Sequence, residues 1–104
     1  MGKMALSIIG ERKPYPSVMI QYSDGSTCPL PHLVRHSLTG LEWGYGGSGP
    51  SDTALSMLSY VTKDKCLAER LYDKFKWAFI ANQPHEGFVI PLVAIRHWVR
   101  DELS

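Results

Sequence analysis

The sequence has almost no excess of charge of either sign and only two cysteines. It carries 11 Lys and Arg against 10 Asp and Glu, for a formal net charge of +1. Proteins that bind nucleic acid usually carry a basic footprint, so the net charge does not indicate a nucleic-acid partner. Cys28 and Cys66 do not form a CxxC pair, and a small chain from an oxidising compartment usually carries more cysteines. We therefore expect free thiols and a cytoplasmic location.

Long apolar runs, internal repeats and low-complexity tracts are also missing. No stretch approaches the ~20 apolar residues of a membrane span, and the apolar run in the first ten residues is too short for a signal peptide. The 104 residues are 44% hydrophobic, which suits one compact core. We expect a single domain over residues 1–104 with no membrane segment.

The first third of the chain has the pattern of a small antiparallel sheet. Residues 4–9 and 17–22 are apolar and predict two strands. Asp24-Gly25 is a strong hairpin-turn signal and predicts a return strand over 27–30. Pro29 removes a ladder donor, which places this third strand at a sheet edge.

The rest of the chain predicts about three helices and one late strand. Pro50 has the position of a first helical residue, with Gly49 as the cap. A second helix carries an apolar stripe through Leu67, Leu71, Phe75 and Phe79. Residues 88–90 predict a short strand, and Pro91 opens a last helix. The prediction is an α+β fold in which a small antiparallel sheet packs against about three helices.

Two features of the predicted helices bear on the surface. We interpret four aromatic residues as core or half-core, namely Tyr72, Phe75, Trp77 and Trp98. The charged residues of the second helix lie largely off its apolar stripe; they are Glu69, Arg70, Asp73, Lys74 and Lys76. Arg96, His97 and Arg100 form a basic edge on the last helix. A solvated face that complements the helix dipole explains this edge best, and a patch for an acidic protein or nucleic acid is the alternative.

The segment 41–51 holds four of the nine glycines, together with Trp43 and Tyr45. Its letters match the dinucleotide-binding pattern GxGxxG, but the alternating βαβ order that this pattern requires is absent. The spacing also resembles a P-loop, with Pro50 in place of the phosphate-binding lysine. The sequence therefore argues against a nucleotide site of either kind.

Two interpretations of this glycine-rich segment remain open. Backbone N–H groups at a helix start could bind a phosphate, a carboxylate or an acidic side chain, and the two aromatic rings could stack on a planar ligand. Alternatively, the glycines let the loop pass close to the helices while the rings fill the core. The candidate binding residues are His36, Glu42, Trp43, Tyr45, Gly46, Gly47, Ser48 and Ser51.

The sequence gives weaker signals for a metal site or a catalytic site than for the glycine-rich segment. Cys28, His32 and His36 have a spacing of four, but Pro29 and Pro31 forbid a regular helix there, so we predict no metal site and no cofactor.

Acid–base groups are available in His36, Glu42 and the His85-Glu86 pair, and hydroxyls in Ser37, Ser48 and Ser51. There is no GxSxG elbow, and neither cysteine has an evident base nearby in the sequence. We assign no catalytic residue.

Residues 36–56 resemble the centre of a family of small uncharacterised proteins from bacteria, archaea and their phages, with the signature HSxTGxEWGYGGSGP. The resemblance continues through 70–76 and 84–88. Leu38 stands where many members have proline, and Phe88 where many have tryptophan. The family has no agreed activity. The phage setting implies a non-enzymatic protein that inhibits a host defence complex, such as a CRISPR effector, by protein–protein contact; the alternative is a small-ligand or phosphate-binding domain, possibly an enzyme.

Overall fold

The computed structural model describes residues 2–37 and 40–104, so Leu38 lies outside the described residues. The elements in chain order are β1 (Ala5–Glu11), β2 (Ser17–Tyr22), β3 (Thr27–Pro29), α1 (Ser48–Thr62), α2 (Lys65–Phe75), a π-helical turn (Lys76–Ile80), β4 (Gly87–Pro91) and α3 (Leu92–Leu103). The predicted α+β fold is confirmed. No helix among the described residues is both long and apolar enough to cross a bilayer.

The four strands form one antiparallel sheet in the order β3-β2-β1-β4. Ile8 of β1 pairs with Ile20 on one side and with Ile90 on the other, so these three residues share one face. All three are buried in the core cluster together with residues of the helices. The third strand lies at the edge, as Pro29 predicts, because an edge strand can lose one ladder donor.

Helix α1 is the centre of the molecule. Every residue from Gly49 to Leu58 is buried, including the polar side chains of Ser51, Asp52, Thr53 and Ser56. A helix that is buried over ten consecutive residues must satisfy such polar groups internally, because an unpaired buried polar group costs about 1–3 kcal/mol.

The start of α1 differs from the prediction. The helix begins at Ser48 with Gly47 as its N-cap, two residues earlier than expected, and Pro50 is its third residue. The first-turn N–H groups of a helix have no intrahelical partner, so proline is tolerated here as well as at the first position. The glycine-rich segment is therefore partly helical.

Candidate functional site

Hydrogen bonds from α1 fix the connection between the sheet and the helix. The Asp52 carboxylate accepts backbone N–H bonds from Arg35 at 3.1 Å, His36 at 2.8 Å and Ser37 at 3.0 Å, and its Oδ2 is 2.9 Å from His32 Nε2. Burial, the largest single effect, raises the pKa of Asp52, but the bonds from His32 and the three backbone donors together lower it below its usual value. Asp52 thus organises the segment that precedes the glycine-rich loop.

Thr53 fixes the other end of this connection. Its Oγ1 donates to the carbonyl oxygens of Glu42 at 2.7 Å and Gly49 at 3.1 Å, and accepts from the Glu42 N–H at 2.9 Å. Neither Asp52 nor Thr53 was a candidate residue from the sequence. A polar residue at the start of a helical pattern gives no signal of the distant backbone groups that it will meet.

Trp43 lies wholly in the core. Its side chain has no exposed surface, its ring meets Phe88 edge-to-face at 5.2 Å, and its Nε1 donates to the Pro84 carbonyl oxygen at 3.1 Å. This position favours the core interpretation for Trp43 and leaves it no surface with which to touch a partner.

Arg12 covers the outer face of the Trp43 ring, with Cζ 4.4 Å from the ring centroid. Its Nη1 pairs with Glu42 Oε1 at 2.8 Å, Nη2 donates to the Trp43 carbonyl oxygen at 3.3 Å, and Nε donates to the His85 carbonyl oxygen. A planar guanidinium satisfies these partners and the ring together, which an ammonium group cannot do. Arg12 therefore joins the β1–β2 connection to the loop and to the turn before β4.

Tyr45 points outward, with 51% of its surface exposed, and Trp77 of the π-helical turn is 56% exposed. Each ring lies against a glycine of the loop: a Cβ on Gly46 would be 2.2 Å from Trp77, and a Cβ on Gly47 would be 2.5 Å from Tyr45. Any other residue at these positions would have to displace an aromatic ring. We call Tyr45, Trp77, Gly46 and Gly47 the aromatic surface.

The exposure of Trp77 corrects the prediction that it is a core or half-core residue. It follows Phe75 by two residues, about 200° around a helix, so it faces away from the apolar stripe. The π-helical turn that carries it is fixed to the loop, because the Gly44 N–H donates to the Ile80 carbonyl oxygen at 3.0 Å. Segments of π-helix are often found at functional sites.

Lys76 is buried, although the sequence places it among the charged residues off the stripe; only 7% of its surface is exposed. Its Nζ donates to Ser51 Oγ at 3.2 Å, lies 3.4 Å from Asp73 Oδ1, and is 4.7 Å from the centroid of the Trp77 ring. The ammonium group thus sits beside the first turn of α1, which has no acidic side chain.

The proximity of Ser51 and Lys76 resembles a serine–lysine catalytic pair, but the hydrogen bonds do not support that role. The Ser51 hydroxyl is directed at the Gly47 carbonyl oxygen at 3.1 Å, and Lys76 is a donor in its contact with Ser51. An activated nucleophile requires a base that accepts the hydroxyl proton. The geometry supports a structural link between α1 and the π-helical turn.

The structure brings part of the predicted site together. Around the start of α1 lie Tyr45, Gly46, Gly47 and Ser51, together with Trp77 and Lys76, neither of which is a site residue predicted from the sequence. Ser48 is exposed as the first residue of that helix. Glu42 packs under Gly49 and pairs with Arg12.

The predicted metal-spaced residues have separate environments. The His36 ring lies 5.2 Å from the Tyr72 ring, and Tyr72 is one helical turn before Lys76. The Cys28 sulfur is 3.4 Å from the Tyr22 hydroxyl, whereas His32 faces Asp52. Within the described part of the chain no group of three or more His, Cys, Asp or Glu side chains is arranged to hold a metal ion.

The fold and the site define a small α+β domain with the aromatic surface, whose two rings lie against glycines, at the start of its central helix. The chain belongs to a family of unknown function (DUF6166), whose model matches residues 9–101. A comparison with curated proteins gives no match, and neither does a comparison with solved structures.

Proposed function

We propose that this chain is a non-enzymatic binding protein that acts by protein–protein contact through the aromatic surface. The observation that carries the proposal is the seating of two half-exposed rings on Gly46 and Gly47. Tyrosine and tryptophan dominate the energetics of protein interfaces, and a side chain already held in place loses less conformational entropy on binding. Exposed rings held in this way are suited to a partner's apolar surface.

The proposal refines which residues make contact. Tyr45 and Trp77 take the role that the sequence assigned to Tyr45 and Trp43, because Trp43 has no exposed surface. His36 and Ser48 are exposed, and the proposal keeps both as residues at the margin of the contact. Glu42 and Ser51 act by holding the loop, through Arg12 and Lys76 respectively.

The experiment is affinity capture of partners from a host lysate by the tagged chain, with quantitative mass spectrometry. Tyr45→Ala combined with Trp77→Ala is expected to reduce recovery of a specific partner at least about tenfold, since a hot-spot aromatic contributes about 2 kcal/mol or more. Tyr15→Ala is the matched control, because Tyr15 is 66% exposed elsewhere. Full recovery by a folded double variant would refute the role of this surface.

Trp43→Ala provides the contrast. Truncating a fully buried tryptophan is expected to cost about 3–5 kcal/mol of unfolding free energy, so this variant should lose fold and binding together. The Tyr45 and Trp77 variants should instead melt within about 4 °C of the wild type, because surface substitutions usually change stability by less than about 0.5 kcal/mol.

For the partner, we propose a host defence complex, on the support of the phage-associated signature that residues 36–51 resemble. The cytoplasm is the proposed compartment, supported by the unpaired state of Cys28 and Cys66. Captured proteins that include no defence component would contradict this choice of partner. The role of the aromatic surface would still be tested by the recovery of captured proteins with the Tyr45 and Trp77 variants.

A phosphate or other small anionic ligand at the start of α1 is the second candidate. One observation favours it: the Lys76 ammonium lies beside a first helical turn that has no acidic side chain. A thermal-shift series with phosphate and nucleotides tests it. A concentration-dependent rise in melting temperature that Lys76→Met abolishes would support this candidate, and a flat response would refute it.

A further inference from the structure

A groove runs between the C-terminal end of α1, the start of α2 and one face of α3. Its floor is apolar, formed by Val61, Leu67, Val99 and Leu103, and two arginines flank it, Arg96 and Arg100. The groove has a volume of about 370 Å³. We call it the basic groove.

The floor and the flanks of the basic groove are both open to a partner. Leu103 is 56% exposed. Arg96 forms no ion pair within residues 2–37 and 40–104. Arg100 lies 3.9 Å from Asp101, its Nη2 is 3.3 Å from His97 Nδ1, and its side chain is 67% exposed. Among the described residues that line the groove there is no carboxylate.

We propose that the basic groove is a docking surface for an acidic amphipathic helix of a partner protein. The apolar side chains of such a helix would cover Leu103 and the floor, and carboxylates on its flanks would pair with Arg96 and Arg100, which are one helical turn apart on α3. The charge and the apolar floor together favour this occupant. A nucleic acid would use the two arginines but would leave the floor without a partner.

This second surface is separate from the aromatic surface. The aromatic surface lies at the first residues of α1 and the basic groove at its last residues, Val61 and Thr62. A helix of 15 residues is roughly 22 Å long, so the two ends can hold different partner segments at once. Variants of one surface should therefore leave binding at the other unchanged.

The test uses two labelled helical peptides and the full chain, followed by fluorescence anisotropy. One peptide carries leucines on one face and glutamates on its flanks; the other has lysine in place of every glutamate. We expect the acidic peptide to bind at least about tenfold more tightly, because like charges disfavour the basic one. Arg96→Glu combined with Arg100→Glu should weaken the acidic peptide at least about tenfold, and Leu103→Ser should weaken it by about fivefold or more.

Lys3→Glu combined with Lys13→Glu is the matched control, since it makes the same change of net charge at residues that flank β1. This control should alter the affinity by less than about twofold at physiological salt, where distant surface charges are screened. Equal affinity for both peptides, no binding of the acidic peptide, or an equal loss in the control would each overturn the proposal. Tighter binding of a single-stranded oligonucleotide that depends on Arg96 and Arg100 would also overturn it, in favour of a nucleic-acid site. Tyr45→Ala should leave peptide binding intact, which keeps this test distinct from that of the proposed function.

Discussion

Replacing Asp52 by asparagine keeps the shape of the side chain but removes its charge and one of its two acceptor oxygens. The wild-type carboxylate is fully buried and serves one imidazole nitrogen and the backbone N–H groups of Arg35, His36 and Ser37. In the variant an NH₂ group faces donors that previously met an oxygen. The segment 32–37 then loses part of its hydrogen bonding to α1.

The magnitude follows from these four contacts. A hydrogen bond to a charged acceptor contributes about 1.5–3 kcal/mol, and a buried donor left without a partner costs about 1–3 kcal/mol. Asparagine retains one acceptor oxygen, and the exposed margin of the segment lets water satisfy some donors. We therefore expect Asp52→Asn to lower the free energy of unfolding by about 2–3 kcal/mol, a large part of the 5–15 kcal/mol typical of a small domain.

The assay is guanidinium denaturation followed by tryptophan fluorescence, to which the buried Trp43 contributes. The midpoint should fall while the denaturant dependence stays unchanged, which indicates a change of stability and not of compactness. Asp101→Asn is the control, because the Asp101 side chain is 73% exposed. A loss below about 1 kcal/mol for Asp52→Asn would refute the view that this carboxylate organises the connection.

Three further predictions concern other contacts of the same region. The pKa of Asp52 is lowered in the folded chain, so its carboxylate stabilises the fold fully above the ordinary pKa of about 3.9 and loses this effect as pH falls through the lower folded pKa. The difference in unfolding free energy between wild type and Asp52→Asn should therefore shrink in that acidic range. Gly46→Ala should displace the half-exposed indole and change the near-ultraviolet circular dichroism while lowering stability by less than about 0.5 kcal/mol, whereas Gly2→Ala, with open space around its Cβ, should leave the spectrum unchanged. Arg12→Lys should lower the unfolding free energy by about 1–3 kcal/mol, because lysine cannot satisfy a carboxylate, two carbonyl oxygens and a ring together. Arg96→Lys, at an exposed position, is the control and should change the unfolding free energy by less than about 0.5 kcal/mol. Equal effects of the two substitutions would contradict the role given to Arg12.

The elements of the fold could be predicted because their signals are local. The Asp24-Gly25 turn closes on itself, since the Asp24 carboxylate accepts the Ser26 N–H at 2.9 Å. The stripe of α2 and the proline of β3 act within their own segments. Local signals do not predict the strand order. The strand β4 joins the sheet beside β1, and no local sequence pattern specifies which strand it will pair with.

The candidate site was predictable only in outline. The glycines of the loop mark the region, but the burial of Trp43 depends on residues far away in sequence. Phe88 and Pro84 contact its ring, whereas the Tyr45 ring remains half exposed. Lys76 is buried because Ser51 and Asp73 accept from it, a circumstance that helical spacing does not encode. Polar residues that meet their partners across the fold remain the hardest to place from sequence.

The central position of β1 has a consequence for how the chain reaches this structure. Residues 7–11 pair on one side with a strand close in sequence and on the other with residues 87–91, about eighty residues away. The nearby hairpin can form early, whereas the second pairing must wait for a long loop to close and pays its entropy before gaining its contacts. Until then one side of β1, including Ile8 and Ile9, is an unpaired apolar edge of the kind that recruits other chains. The late-arriving β4 thus shields the nascent sheet from self-association as well as completing it.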